Sequence, residues 1–237
     1  DMNFFTDTKF CLQGADAALV VIDAVDGVKV QGEQAWELAR QFGMPVAIFV
    51  NKLHRERADF ARALEDAHKS FEDPKPIVIQ LPIGAEADFR GVVDLIGMKA
   101  YLYDEHGQAT AGDIPAEMQD QVETEREALI ENVAEADDEL IERYLEGETI
   151  SDDEIRAALH KGLISRTFSP VLCGSATRSI GIDLLMDFIA ASMPSPVARG
   201  PRRGLDPASG ESVERAPEPD APFSGFVFKT IADPYAG

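Results

Sequence analysis

Clusters of consecutive apolar residues alternate with stretches in which apolar positions recur every three or four residues. Over the first half of the chain this predicts strands separated by amphipathic helices. Residues 18–22, an unbroken Ala-Leu-Val-Val-Ile run, have the composition of a buried strand. Past a turn at Asp26 and Gly27, Ala35, Trp36, Leu38, Ala39 and Phe42 share one helical face, and Gly43 with Pro45 beyond it ends that helix. A second strand is expected at 46–50. Another helix is expected over 57–71, with Phe60, Ala61, Leu64, Ala67, His68 and Phe71 on one side and His68 at the margin of the core. Strands and helices in this order belong to a mainly parallel sheet covered by helices.

From Pro74 the pattern shortens. Extended pieces at 77–81, 92–95 and 99–103, separated by glycine-containing turns, predict a small antiparallel sheet. Helices are expected after Pro115, near Asp137 and after Ser151, where Ser-Asp-Asp-Glu has the spacing of a capping box. The sheet rhythm returns at 169–173, followed by Gly174-Ser175-Ala176 and an amphipathic helix over 182–193. The predicted organisation is an α/β core built from 1–73 and 166–195, interrupted by an α+β insertion over 74–165. Residues 196–220 read as a linker holding at most a short hairpin. Over 221–237 the alternation at 223–230 predicts the first strand of a further domain.

Charge narrows the choice of partners. With 43 acidic and 22 basic residues among 237, the formal net charge is −21. Such a surface repels phosphate backbones, so no direct contact with DNA is expected. Between Asp113 and Glu154 about seventeen acids face only Arg126 and Arg143, which makes this region either a solvated helical face or a docking surface for a basic partner. Within it Glu123, Glu127, Glu131 and Glu135 recur at four-residue steps, while Val122, Leu129, Val133 and Ala136 fall on another side. No apolar run approaches the roughly 18 residues of a membrane span, and the first residues lack a basic-then-apolar signal. Neither membrane insertion nor secretion is expected, and a cytoplasmic location follows. Cys11 and Cys173, far apart and without metal-ligand spacing, are expected to be reduced core thiols; no metal site is expected.

Two loops carry candidate chemistry, because each follows a parallel strand and such sheets place ligands at the carboxyl ends of their strands. One is Asn51-Lys52-Leu53-His54 and the other Gly174-Ser175-Ala176. An Asn-Lys-x-Asp loop paired with a Ser-Ala loop recognises guanine in GTPases. A carboxylate accepts the two adjacent donors of guanine, the lysine stem packs along the base, and a backbone N–H near Ser175 and Ala176 can meet the base oxygen. The wider sequence resembles the elongation factor G family of translational GTPases. The similar stretches include Asp16-Ala17-Ala18, Asp23 through Val28, Gln34, Phe49 through Lys52 and Ala58-Asp59-Phe60. More specific are Gln80 through Gly84, Phe89, Gly91 and Val92 through Leu95, followed by Tyr144 through Gly147 and Pro170 through Ala176. Pro194-Ser195-Pro196, Ala221-Pro222-Phe223 and Phe228-Lys229 extend the resemblance to the start of that family's β-barrel second domain.

The resemblance implies a partial, doubly wound, P-loop-NTPase-like G domain with an inserted subdomain. The nucleotide-binding positions would be Asn51, Lys52, His54, Gly174, Ser175 and Ala176. A full-length parent would use GTP or GDP with Mg2+ and couple GTP hydrolysis to ribosomal translocation or recycling. Its partners would be the ribosome and, through the acidic insertion, the ribosomal stalk protein. Three departures qualify that picture. The sequence has no Gly-x-x-x-x-Gly-Lys-Ser/Thr loop, and the family's switch I and Asp-Thr-Pro-Gly loop should precede residue 1; this piece alone is therefore expected to be inactive and to hold no nucleotide. Asp1 stands where the family has its water-positioning histidine, if Asn3-Phe4 marks the alignment. His54 replaces the aspartate that clamps guanine. A degenerate paralogue that docks on the ribosome or its stalk without efficient hydrolysis is the alternative, and a small-molecule kinase or nucleotidase with altered base choice is a third.

Overall fold

The computed structural model describes residues 5–232. Helix α1 (Phe5–Gln13) leads into strand β1 (Ala18–Asp23), helix α2 (Val30–Gln41), strand β2 (Val46–Asn51) and helix α3 (Phe60–Ser70). Strand β3 (Lys75–Val78) follows, then β4 (Gln80–Ile83), β5 (Gly91–Asp94), β6 (Lys99–Tyr103) and β7 (Ala109–Gly112). Helices α4 (Gln119–Ala134), α5 (Asp138–Leu145) and α6 (Asp152–Ser165) precede strand β8 (Phe168–Cys173) and helix α7 (Ile182–Ser192). A single-turn helix α8 (Pro196–Arg199) and a hairpin of β9 (Arg202–Leu205) and β10 (Ser212–Arg215) complete the elements.

A four-stranded sheet of order β1-β2-β8-β3, parallel throughout, forms the centre. Both faces are covered, which explains why β2 is apolar at five successive positions. Val46, Ile48 and Val50 point with Val20, Ile22, Val171 and Cys173 toward α2 and α3, where Trp36 stacks on Phe71 at 4.3 Å between ring centres. Ala47, Phe49 and Leu172 point the other way, into a core shared with α4, α6 and α7. Each large aliphatic side chain fully buried in these layers stabilises the fold by about 1.5–3 kcal/mol.

The run at 77–81 does not form one strand of the small sheet. It is divided: β3 adds to the edge of the parallel sheet beside β8, and β4 opens the antiparallel sheet β4-β5-β6-β7. Ile79 lies between them, its N–H donating to Val171 O and its carbonyl accepting from Leu95 N. One residue thus bonds to both sheets, and the point at which the chain leaves the parallel sheet moves from 74 to Ile79. The same core also holds Ile79, Leu81, Val93, Leu129, Leu159, Leu172 and Phe188, so the insertion is packed against the parallel sheet.

Other expectations are adjusted by local geometry. Helix α3 begins at Phe60 rather than 57, because Asp59 caps it by accepting from Arg62 N and Arg57 adopts a positive φ of 64°. Its buried positions are Ala63 and Ala67, while Ala61 and His68 are exposed. Cys173 is buried as expected, whereas Cys11 is exposed on α1. The alternation at 223–230 forms no strand among the described residues, since no sheet edge pairs with it. That segment instead lies back on the start of the chain: the Phe228 ring covers Gly14, and Lys229 Nζ pairs with Asp7 at 2.7 Å.

Candidate functional site

The register of the parallel sheet builds the site. Asp23 sits opposite Asn51, and Val50 opposite Cys173, so β1, β2 and β8 end side by side. Gly174 N–H donates to Val50 O at 2.9 Å and Leu53 N–H to Gly174 O at 3.3 Å, which binds the two loops backbone to backbone. Gly174 is required by close approach: a Cβ there would lie 2.3 Å from Ile180 O and 2.9 Å from the Phe49 ring.

All six residues expected at the site converge on this junction. Asn51 Oδ1 accepts from Lys52 N–H at 2.7 Å and from Ala176 N–H at 3.0 Å, tying the first loop to the second. Its amide nitrogen has no protein partner among the described residues. Lys52 takes a positive φ of 68°, a conformation that turns the chain sharply after β2. Its ammonium lies 2.5 Å from Asp23 Oδ2. Burial opposes ionisation of Asp23, but the hydrogen bonds from Lys52 and Val25 outweigh it and hold the carboxyl below its ordinary value.

His54 contacts the second loop through both ring nitrogens. Nδ1 lies 2.6 Å from Ser175 Oγ, and Nε2 lies 3.4 Å from Thr177 Oγ1. Burial, and then the neighbouring charges of Arg178, Arg55 and Lys52, depress its pKa, so the imidazole is neutral at physiological pH. Ser175 is fully buried; its Oγ also accepts from Arg178 N–H at 3.3 Å. The donor expected for a base oxygen is occupied in this arrangement: Ala176 N–H is engaged by Asn51, and Ser175 N–H by Ile180 O.

Three residues complete the site beyond those anticipated as ligands. Asp23 anchors Lys52, Thr177 flanks His54, and Gln80, buried at the start of β4, accepts from Cys173 N–H at 3.2 Å through Oε1. The signal for Asp23 was its place at the end of an apolar run; that for Gln80 was a polar residue inside one. Asp1 lies outside the described residues. Among the described residues no cluster of His, Cys, Asp or Glu is arranged to hold a metal ion.

Comparison with known proteins identifies the fold. The profile of the family described as "Elongation factor Tu GTP binding domain" matches residues 1–195. The chain is 41% identical over 238 residues to elongation factor G of Thermotoga sp. (strain RQ2), and 40% identical to that of Thermotoga maritima. In both cases the whole chain is covered, and it spans 34% of the relative's length. A crystal structure of a protein from Thermus thermophilus superposes with a TM-score of 0.76 at 31% identity, covering 90% of this chain and 33% of the other. A profile match over most of the chain, on a parallel sheet whose β2 and β8 loops meet as described, means that the chain belongs to the elongation factor Tu GTP-binding domain family and, within it, is similar to elongation factor G.

Proposed function

We propose that the chain carries the base-recognition side of the nucleotide site of an elongation-factor-G-like GTPase. In the whole protein, GTP hydrolysis with Mg2+ would drive ribosomal translocation or recycling in the cytoplasm. The observation that carries this reading is the joining of the two loops by Ala176 N–H to Asn51 Oδ1. A side-chain amide locked by one loop to the other leaves its nitrogen as a pair of fixed donors, suited to acceptors on a purine ring. Lys52, bent back over Asp23, presents its aliphatic stem as a wall beside that position. Among the described residues no helix is long and apolar enough to cross a membrane.

The test is a titration of the full-length parent with GDP, comparing wild type with Asn51→Ala. A loss of affinity of about tenfold or more is expected, the effect of one well-made polar contact. Unchanged affinity would remove the two loops from the site.

A second reading, a ribosome-stalk-binding module without efficient hydrolysis, is favoured by a separate feature. Glu123, Glu127 and Glu131 are exposed along α4 and Glu135 at its C-terminal cap, and none makes an ion pair among the described residues. A row of uncompensated carboxylates attracts a basic partner and speeds its association, an effect screened beyond roughly 8 Å at physiological salt. Titration of the chain with purified stalk protein should give binding that weakens as salt rises and with Glu123, Glu127 and Glu131 changed to Gln. Binding indifferent to both would make the row a solvated face only.

A further inference from the structure

Between helix α7 and the small antiparallel sheet of the insertion lies a cleft of about 320 Å³, large enough for a small molecule. Its apolar lining comes from Leu159 of α6, Leu172 of β8, and Leu184 and Phe188 of α7. Gln80 and Ser192 border the same cleft at 4% and 8% exposure, and polar atoms so buried need partners. Gln80 Oε1 has one in Cys173 N–H. The Gln80 amide nitrogen and the Ser192 hydroxyl have none among the described residues. Ser169 Oγ is the one sealed side-chain polar atom left unpartnered among the described residues, so these two are open, and the cleft is the space they border.

The charges around the cleft do not cancel. Asp94 accepts from Ile96 N–H at 3.1 Å and from Gly97 N–H at 3.0 Å, and Arg156, 4.0 Å away, balances its charge. Asp187, exposed on the same side of α7 as Phe188 and Ala191, has a carboxylate without a hydrogen bond or ion pair among the described residues. The Tyr101 phenol also lines the cleft. Burial first, then Asp94, and more weakly Asp183 and Asp187, push its pKa up against the opposing charge of Arg156, so it stays a neutral donor. The cleft is thus complementary to an acceptor opposite Gln80, a cation beside Asp187 and an apolar group against Leu172 and Phe188. We propose that it is a binding site for a small amphipathic cation, a primary amine that also carries a carboxamide and an aromatic group. The inference is independent of the base-site reading.

The experiment is ligand-observed saturation-transfer NMR with calorimetry on the full-length parent, in the presence of GDP to fill its nucleotide site. The probe is phenylalaninamide at mildly acidic pH, where its amine is protonated. Three analogues each change one group: phenylpropanamide lacks the amine, phenethylamine lacks the carboxamide, and phenylpropanoate is an anion. Phenylalaninamide should bind at millimolar concentration. Phenylpropanamide should bind about threefold more weakly, the worth of one partly exposed ion pair, and phenethylamine about tenfold more weakly, the worth of one hydrogen bond at a buried donor. Asp187→Asn, at an exposed position, should remove the advantage of the amine, and Ala191→Trp, which fills the cleft from its exposed edge, should abolish binding. No saturation transfer to phenylalaninamide at millimolar concentration overturns the proposal. So does binding that Asp187→Asn or Ala191→Trp leaves unchanged, or phenylpropanoate binding as tightly as phenylalaninamide.

Discussion

Gly174 lacks a side chain because the loop junction has no room for one, with Ile180 O 2.3 Å and the Phe49 ring 2.9 Å from where a Cβ would lie. Gly174→Ala should cost about 1–3 kcal/mol of stability, the usual penalty for overpacking a rigid site, and a lowered urea midpoint with unchanged slope would record it. Asp23 carries a pH-dependent contribution of definite sign. Its pKa is lower in the folded chain than the ordinary 3.8, so the stabilisation is present above that value and is lost as pH falls through the folded value. Thermal melts should therefore show wild type losing more stability than Asp23→Asn on acidification below pH 3.8. Equal losses would mean that the Lys52 pair contributes nothing. At this scale the sequence was informative wherever a residue type follows directly from strand ends, as for Asn51, Lys52, Ser175 and Ala176. It was silent on Asp23 with Lys52 and on Gln80 with Cys173, because those pairs depend on the register between strands and on which sheet a run joins.

The acidic insertion gains part of its order from one element junction. Ser151 and Glu154 form the capping box of α6, with Ser151 Oγ accepting from Glu154 N–H and the Glu154 carboxylate accepting from Ser151 N–H. Arg143 of α5 binds that same carboxylate and also Glu148, joining the end of α5 to the start of α6. Ser151→Ala should cost about 1 kcal/mol, measurable by chemical denaturation. Arg143, first, and then Ser151 push the Glu154 carboxyl down to about 2 from its ordinary 4.5. The contribution of this carboxylate is thus complete above pH 4.5 and fades as pH falls toward 2. Arg143→Ala should flatten that part of the acid profile of helicity, and an unchanged profile would rule out the α5–α6 pair as its source. The cap was legible from four consecutive residues because it is local. The division of β3 from β4 was not: Ile77, Val78, Ile79 and Leu81 look alike as strand residues, and only long-range pairing with Val171 and Leu95 decides which sheet each joins.

At the scale of the molecule, the sequence lacks a Gly-x-x-x-x-Gly-Lys-Ser/Thr loop to cradle phosphates, so the isolated chain should release no phosphate from GTP with Mg2+ above a buffer blank. Turnover that Asn51→Ala abolishes would contradict this. The two cysteines report separately on the fold: Cys11 is exposed, whereas burial pushes the Cys173 thiol up and keeps it unreactive. One thiol should react promptly with a disulfide reagent in the native chain and the second only at the rate at which the central sheet opens. Prompt reaction of both would show that the sheet is loose around β8. Parallel strands with helices on both faces were readable from hydrophobic rhythm. The absence of a strand at 223–230 was not, because alternation supplies a face and not a partner edge.

Ile79 gives the architecture a mechanical character. A hinge needs backbone whose hydrogen bonds are free to rearrange, and the carbonyl and amide of this residue are already committed, one to each sheet. Tyr103 of β6 adds a second fastening by donating to Asp183 at the start of α7. A force applied to α4 is therefore delivered to β8, and the turn that continues β8 is Gly174-Ser175-Ala176. The insertion is a lever arm welded to the sheet, and its load bears on the loop that holds His54.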